Sequence, residues 1–151
     1  MKVAVIGLGY WGPNLTRNLY EANICDELYC CDLDESKLKR IQSRYPSIKV
    51  TKNYQELAAN PAVDAAVIAT PVSLHFPVAK AFLAAGKHVF VEKPFTASSA
   101  EAVELIELAK AQQRIVMVGH TFEYSPPVLK IKELIEKKEL GKIYYISASR
   151  V

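Results

Sequence analysis

Residues 2–12 read KVAVIGLGYWG, and the fold is decided there. Lys2–Gly7 is a short, continuously apolar run, the signature of a strand buried on both faces. Gly7, Gly9 and Gly12 follow as G-x-G-x-x-G, and a helix is expected from Trp11 to about Ala22 with Pro13 tolerated in its first turn. Each glycine has a use in that setting. Gly7 permits a tight turn out of the strand. Gly9 removes a side chain where a pyrophosphate would approach the backbone. Gly12 lets the helix pack close to the sheet. Free N–H groups at the helix start, with its dipole, attract phosphate. The alternative is a purely structural strand–helix turn.

Working outward, a second strand over Leu28–Cys31 ends on Asp32, twenty positions beyond Gly12. That is the spacing at which an acid accepts hydrogen bonds from an adenosine ribose. A carboxylate there also repels a 2′-phosphate, which favours NAD over NADP. Lys37 and Arg40 do not follow Asp32 directly but lie on the next helix, and Asp34 is better placed as that helix's cap. A methyltransferase that binds S-adenosylmethionine shares the glycine turn and the acid, so both readings stand at this point.

The alternation continues along the chain. A helix over about Asp34–Tyr45 stops before Pro46. A strand over Ile48–Thr51 and a short helix over Tyr54–Ala59 follow, then a strand over Ala65–Ala69 and a helix over Ser73–Ala85 with Gly86 as its C-terminal cap. A strand over Val89–Val91, a helix from Ser98 or Ser99 to about Gln113 and a strand over Ile115–Val118 come next. Glu101 is placed for a capping box, and a last helix runs from Pro127 to about Lys138, closed by Gly141. Short apolar strands separated by helices predict an α/β fold, a doubly wound parallel sheet of the Rossmann type. The 151 residues, half of them hydrophobic, suffice for one such domain, expected over 1–141. Ile143–Val151 reads as an uncovered strand, the expected start of a second domain over 142–151.

Composition narrows the function. A net charge of +3, scattered along the chain, argues against a nucleic-acid or membrane-surface partner. No run of about 18 apolar residues marks a membrane span. The opening residues fit a strand and turn better than a secretory leader. Cys25, Cys30 and Cys31 match no zinc spacing, so no metal is expected. They read as free thiols in a reducing, cytoplasmic setting, with Cys30 and Cys31 on opposite faces of their strand.

Ligands bind at the carboxyl ends of the strands in an open parallel sheet. After the fourth strand comes Thr70-Pro71-Val72-Ser73-Leu74-His75. Thr70 and Pro71 are placed to line a dinucleotide, and His75 is either a site residue or a solvated helix-start histidine. After the fifth comes Glu92-Lys93-Pro94. A lysine there can serve as acid, base or positioning cation, and Pro94 is a candidate for a cis bond; on physics alone the pair reads as a surface ion pair. After the sixth, GHTFEYSP at 119–126 gathers polar and aromatic residues, as a ligand edge or as a loop packed on the next helix.

GLGYWG at 7–12, Cys31-Asp32, ATPVSLH at 69–75, EKP at 92–94 and GHTFEYSP at 119–126, in that order, resemble the glucose–fructose oxidoreductase, inositol dehydrogenase and rhizopine-catabolism (Gfo/Idh/MocA) family. The resemblance covers nearly the whole chain. It implies a nicotinamide-dependent dehydrogenase whose N-terminal half is a Rossmann domain. It assigns Gly7, Gly9, Tyr10, Trp11 and Gly12 to the pyrophosphate and Asp32 to the adenosine ribose. Thr70, Pro71 and His75 would flank the dinucleotide, and Glu92 would lie by the nicotinamide ribose. Lys93 is implied as the catalytic lysine, and the segment at His120 would reach the nicotinamide edge. GYWGPNL and ELGKIYYI look most like members acting on sugars or nucleotide sugars. The family's second domain binds substrate, often forms a homo-oligomer contact and carries further catalytic residues beyond position 151. The chain alone is then expected to bind NAD with little turnover. The other reading kept open is a dinucleotide-sensing module without chemistry.

Overall fold

Strands of three to five apolar residues cannot bury themselves alone, and here six of them pair in parallel under two layers of helix. The computed structural model describes residues 1–149. Lys2–Ile6 (β1) is followed by Gly12–Glu21 (α1), Glu27–Cys31 (β2), Glu35–Arg44 (α2), Lys49–Thr51 (β3) and Tyr54–Ala59 (α3). Ala65–Ile68 (β4), His75–Ala84 (α4), His88–Val91 (β5), Ser99–Ala111 (α5) and Val116–Val118 (β6) complete the sheet. The strand order is β3-β2-β1-β4-β5-β6, with every pair parallel. The order reverses between β1 and β4, so their carboxyl ends open a crevice where neither neighbouring connection crosses.

Strand alternation sorts the core into two clusters. Ala4, Ile6, Cys31 and Ile68 face α3, α4 and α5, where Phe82 and Leu105 are fully buried. Val3, Val5, Cys30 and Val67 face the other way, with Leu38 and Ile41 of α2. Cys30 and Cys31 thus point to opposite faces, and burial pushes their thiols up to about 11 and about 12. At neutral pH they are inert core residues.

Local chemistry sets the helix ends. Asp34 caps α2 by accepting from the Ser36 N–H at 2.9 Å. Ser98 caps α5 through the Glu101 N–H, while Glu101 accepts from the Ala97 N–H, one residue earlier than a standard capping box. Gly86 ends α4 at φ +71°. One helix is shorter than its sequence pattern: Val72–Leu74 form a 3-10 turn and α4 begins at His75, not Ser73. Pro71, at φ −57° and ψ 147°, starts that turn from an extended backbone.

The chain separates into two compact units, Met1–Gly119 and a second beginning at His120. The second contains a 3-10 turn at Thr121–Tyr124 and the helix Pro126–Glu136 (α6), which Pro126 and Pro127 open. Residues 143–149 carry no ladder, although their sequence reads as a strand. A strand needs a partner to satisfy its N–H and C=O groups, and the described residues offer it none. The last two positions of the expected strand, Arg150 and Val151, lie outside the described residues. Among the described residues no helix is long and apolar enough to cross a membrane.

Candidate functional site

The turn after β1 is held from both neighbouring strands. Gly7 sits at φ +92°, and its N–H donates to the Cys31 carbonyl at 2.8 Å. A Cβ on Gly7 would lie 2.7 Å from the Ala69 oxygen and 2.8 Å from the Thr70 nitrogen, so this residue is pinched against the end of β4. Gly12 is tighter still: a Cβ would stand 2.0 Å from the Gly7 oxygen. Its smallness lets the first residue of α1 press against the carbonyl at the end of β1, the close approach of helix to strand that its place in the motif predicts. Gly9 differs from both, because a Cβ there would meet nothing within 4 Å. It is bare backbone facing open space.

Around Gly9 the surface is built to receive an anion. Trp11 is the N-cap of α1 and supplies no side-chain cap, so no side chain of its own occupies the positive end of that helix. A cavity of about 220 Å³ is lined by Leu8, Gly9, Pro13, Lys37, Arg40 and Ile41. Tyr10 is 84% exposed, and its ring meets Trp11 edge-on at 5.4 Å. A larger hollow of about 470 Å³ lies at the amino end of β2, beside Cys25, Asp26 and Glu27. In a parallel sheet that is the end away from the crevice, so the smaller cavity is the functional candidate.

Asp32 ties the second strand to the glycine turn. Its Oδ2 accepts from the Leu8 N–H at 2.7 Å, and its Oδ1 accepts from the Asp34 N–H at 2.9 Å. Lys37 Nζ lies 3.5 Å from Oδ2. The carboxylate orients the loop and carries its charge beside Lys37. Lys37 and Arg40, which do not follow Asp32 directly in sequence, both line the cavity from α2, and Lys37 contacts Asp32.

Thr70 and Pro71 follow β4 as expected. Thr70 Oγ1 is buried without a hydrogen-bond partner, an unsatisfied hydroxyl beside the turn that Gly7 packs against. His75 does not face outward. It is 1% exposed, with Nδ1 2.9 Å from the Pro94 carbonyl and Nε2 2.9 Å from the Thr70 carbonyl. The solvated-histidine alternative is thereby overturned, and any effect of His75 on a ligand passes through backbone.

Glu92 and Lys93 do not form the surface ion pair that physics alone suggested. Glu92 is buried at 8% exposure, and its carboxylate accepts only a long 3.3 Å bond from the Lys93 N–H. Gly119 makes room for it, since a Cβ there would stand 3.2 Å from Glu92 Oε1 and 3.1 Å from Phe90 Cζ. Lys93 is exposed and has no ion-pair partner among the described residues. The Lys93–Pro94 peptide is cis. His120 is exposed and opens the second unit. Sequence reasoning did not single out Gly119 as a spacer for Glu92, and no local signal marks it: the constraint comes from the next strand.

Three comparisons bear on this arrangement. The family model described as "Oxidoreductase family, NAD-binding Rossmann fold" (GFO_IDH_MocA) matches residues 1–120. The uncharacterized oxidoreductase YdgJ of Escherichia coli (strain K12) is 36% identical over 149 residues, 98% of this chain and 42% of that protein. The D-xylose 1-dehydrogenase (NADP(+)) of Hypocrea jecorina is 40% identical over 110 residues, 73% of this chain and 28% of that one. Among solved structures, GenD2 from gentamicin A biosynthesis, in complex with NAD, superposes with a TM-score of 0.86 at 31% identity, over 92% of this chain and 40% of that one. The chain thus spans well under half the length of the proteins it matches.

Proposed function

Because this chain belongs to the Gfo/Idh/MocA oxidoreductase family, as an NAD(P)-binding Rossmann domain, we propose that it is the cofactor-binding part of a longer dehydrogenase acting on a secondary alcohol of a sugar, polyol or nucleotide sugar. The methyltransferase alternative falls with that membership. The observation that carries the reading is the contrast among the glycines: Gly7 and Gly12 have no room for a side chain, whereas Gly9 faces open space at an uncapped helix start. That is a cradle for a pyrophosphate. The cavity beside Gly9 fits the same group.

Each residue then has a task. The Gly9 to Gly12 backbone, with Tyr10 and Trp11 covering its outer side, holds the pyrophosphate. Asp32, already fixed by two backbone N–H groups, presents its charge to the adenosine ribose and disfavours a 2′-phosphate. NAD is accordingly the proposed cofactor. Lys37 and Arg40 line the same cavity, but Lys37 already shares its charge with Asp32. Thr70 and Pro71 form one wall of the nicotinamide end and Glu92 the other. Bound dinucleotide supplies the hydride acceptor. Lys93, exposed beyond the end of β5, stands beside the substrate hydroxyl, whose proton leaves through it and a partner base in the substrate domain, a contribution of about 10²–10⁴-fold in rate.

The domain boundary is proposed at 141/142, with the segment from 142 beginning a substrate and oligomerisation domain. Three free thiols suit a cytoplasmic setting. Without the substrate domain the reacting atoms are not brought together, so the 151-residue chain binds NAD and turns over little. Titration of the chain with NADH, NADPH and S-adenosylmethionine, followed by Trp11 fluorescence, tests the reading. Saturable NADH binding, tighter than NADPH, is expected. Binding of S-adenosylmethionine alone would overturn it.

A further inference from the structure

We propose that His75 is a positioning residue for Lys93, acting from inside the protein to fix the distance between the turns that follow β4 and β5. The inference rests on the roles given above to Lys93 and Thr70. Its basis is where the sheet stops. The Glu92 N–H donates to the Ile68 carbonyl at 2.9 Å, just beyond the register pair Ile68 and Val91. Past that rung the two chains carry no further ladder bond, and they separate to form the crevice. The imidazole bridges them there, 2.9 Å from the Thr70 carbonyl on one side and 2.9 Å from the Pro94 carbonyl on the other. It replaces the missing rung with a side chain.

The ring is suited to that task and to little else. Both ring nitrogens are turned to carbonyl oxygens, which only accept, so a neutral ring donates one N–H to one carbonyl and both bonds together need an N–H on each nitrogen; neither nitrogen faces a substrate. At 1% exposure the ring cannot touch a dinucleotide. Its base is rigid: His75 is the first residue of α4, whose Val78, Ala79 and Phe82 are almost wholly buried. Of the other buried polar side chains, Thr16 binds the Gly12 carbonyl and contacts Cys30 Sγ, Glu92 accepts from the Lys93 N–H, and Lys87 binds the Asn60 and Val63 carbonyls beside the amino end of β4. Among the buried polar side chains of the described residues, His75 is the one that joins the ends of β4 and β5. Lys93 has no ion pair among the described residues to hold it, so its placement comes from the backbone on which it sits. Misplacing a reacting group by about 1 Å can cost roughly 10²-fold in rate.

His75→Asn and His75→Gln divide the two bonds. An asparagine amide nitrogen reaches the position of Nδ1 and keeps a donor for Pro94. A glutamine amide nitrogen reaches that of Nε2 and keeps a donor for Thr70. Both are made in the 151-residue chain, and His75→Ala is avoided because it opens a cavity in the fold. The first readout is ligand-free amide hydrogen exchange at Lys93 and Phe95. Exchange is expected to rise by about tenfold or more in His75→Gln and to stay within about threefold of the parent in His75→Asn. Equal exchange in the two variants overturns the proposal. The second readout compares NADH with ADP-ribose, which lacks the nicotinamide. His75→Gln is expected to weaken NADH while leaving ADP-ribose unchanged, and His75→Asn to preserve both. Parallel loss of both ligands in His75→Gln would mark a merely structural histidine and overturns the positioning role. If the parent chain itself binds neither ligand, the dinucleotide reading fails, while the exchange contrast still decides whether His75 fixes the Lys93 backbone.

Discussion

Adding one methyl group at Gly9 and, separately, at Gly12 should give opposite results in two measurements. At Gly12 the new Cβ would stand 2.0 Å from the Gly7 oxygen, whereas ordinary contact begins near 3.4 Å. About 1.4 Å must be found, and the clashing atom is backbone in a turn already fixed by the Cys31 carbonyl and Asp32. Overpacking of this kind costs up to about 3 kcal/mol, or roughly 6–12 °C in Tm for a chain of this size. At Gly9 the methyl meets nothing within 4 Å, and no positive φ stands in the way. Gly9→Ala should hold its stability or gain about 0.4–1 kcal/mol by restricting the unfolded chain. The methyl would, however, occupy the space a phosphate oxygen needs to reach the backbone. Losing one charge-assisted bond costs about 1.5–3 kcal/mol, roughly ten- to a hundredfold in Kd. Thermal unfolding without ligand and a fluorescence titration with NADH read the two effects. Unchanged NADH affinity in Gly9→Ala refutes the phosphate cradle. An undiminished Tm in Gly12→Ala refutes the packing argument.

Asp32→Ser removes the carboxylate that repels a 2′-phosphate and releases Lys37 beside Arg40, so the ratio of NADPH to NADH affinity should rise at least about tenfold; an unchanged ratio would show that Asp32 does not set the preference. Gly119→Ala would push on Glu92 Oε1 and Phe90 Cζ; with Glu92 by the nicotinamide ribose as proposed, it should weaken NADH more than ADP-ribose in paired titrations. Two carboxylates make stability pH-dependent. Hydrogen bonds from Tyr29 and Lys49 hold Glu27 at about 2, and Lys52 and Lys39 hold Glu35 at about 2. Their folded values lie below the unfolded value of about 4.3, so the contribution is complete above that pH and is lost as pH falls from about 4.3 to about 2. Acid titration of Tm should show that slope, and Glu27→Gln with Glu35→Gln should flatten it.

Much of the architecture was legible in the residues because it is set locally. A five-residue apolar run, a helix stop before Pro46, the Asp34 and Ser98 caps and the Gly86 end each depend on neighbours a few positions away. The glycine spacing and its distance to Asp32 marked a nucleotide-binding turn in the same way but left NAD and S-adenosylmethionine both open, and the order of the later motifs separated them. The misjudged details share another origin. Glu92 and Lys93 read as an exposed pair because adjacency was all the sequence offered; β6 and Gly119 decide that the carboxylate is buried. His75 stood open between a site residue and a solvated helix-start histidine; it does start α4, but its ring is buried between the turns that follow β4 and β5.

Thus the sequence by itself determined the parallel α/β plan, the glycine turn and the acid that follows it, because periodicity and short-range chemistry write those directly into the chain. Only the tertiary structure decided which glycine is free, which histidine is a brace and which carboxylate is buried. Those outcomes rest on Gly7 meeting Ala69, His75 meeting Pro94 and Glu92 meeting Gly119, contacts between residues 19 to 62 positions apart. Strand order alone brings them within a few ångströms.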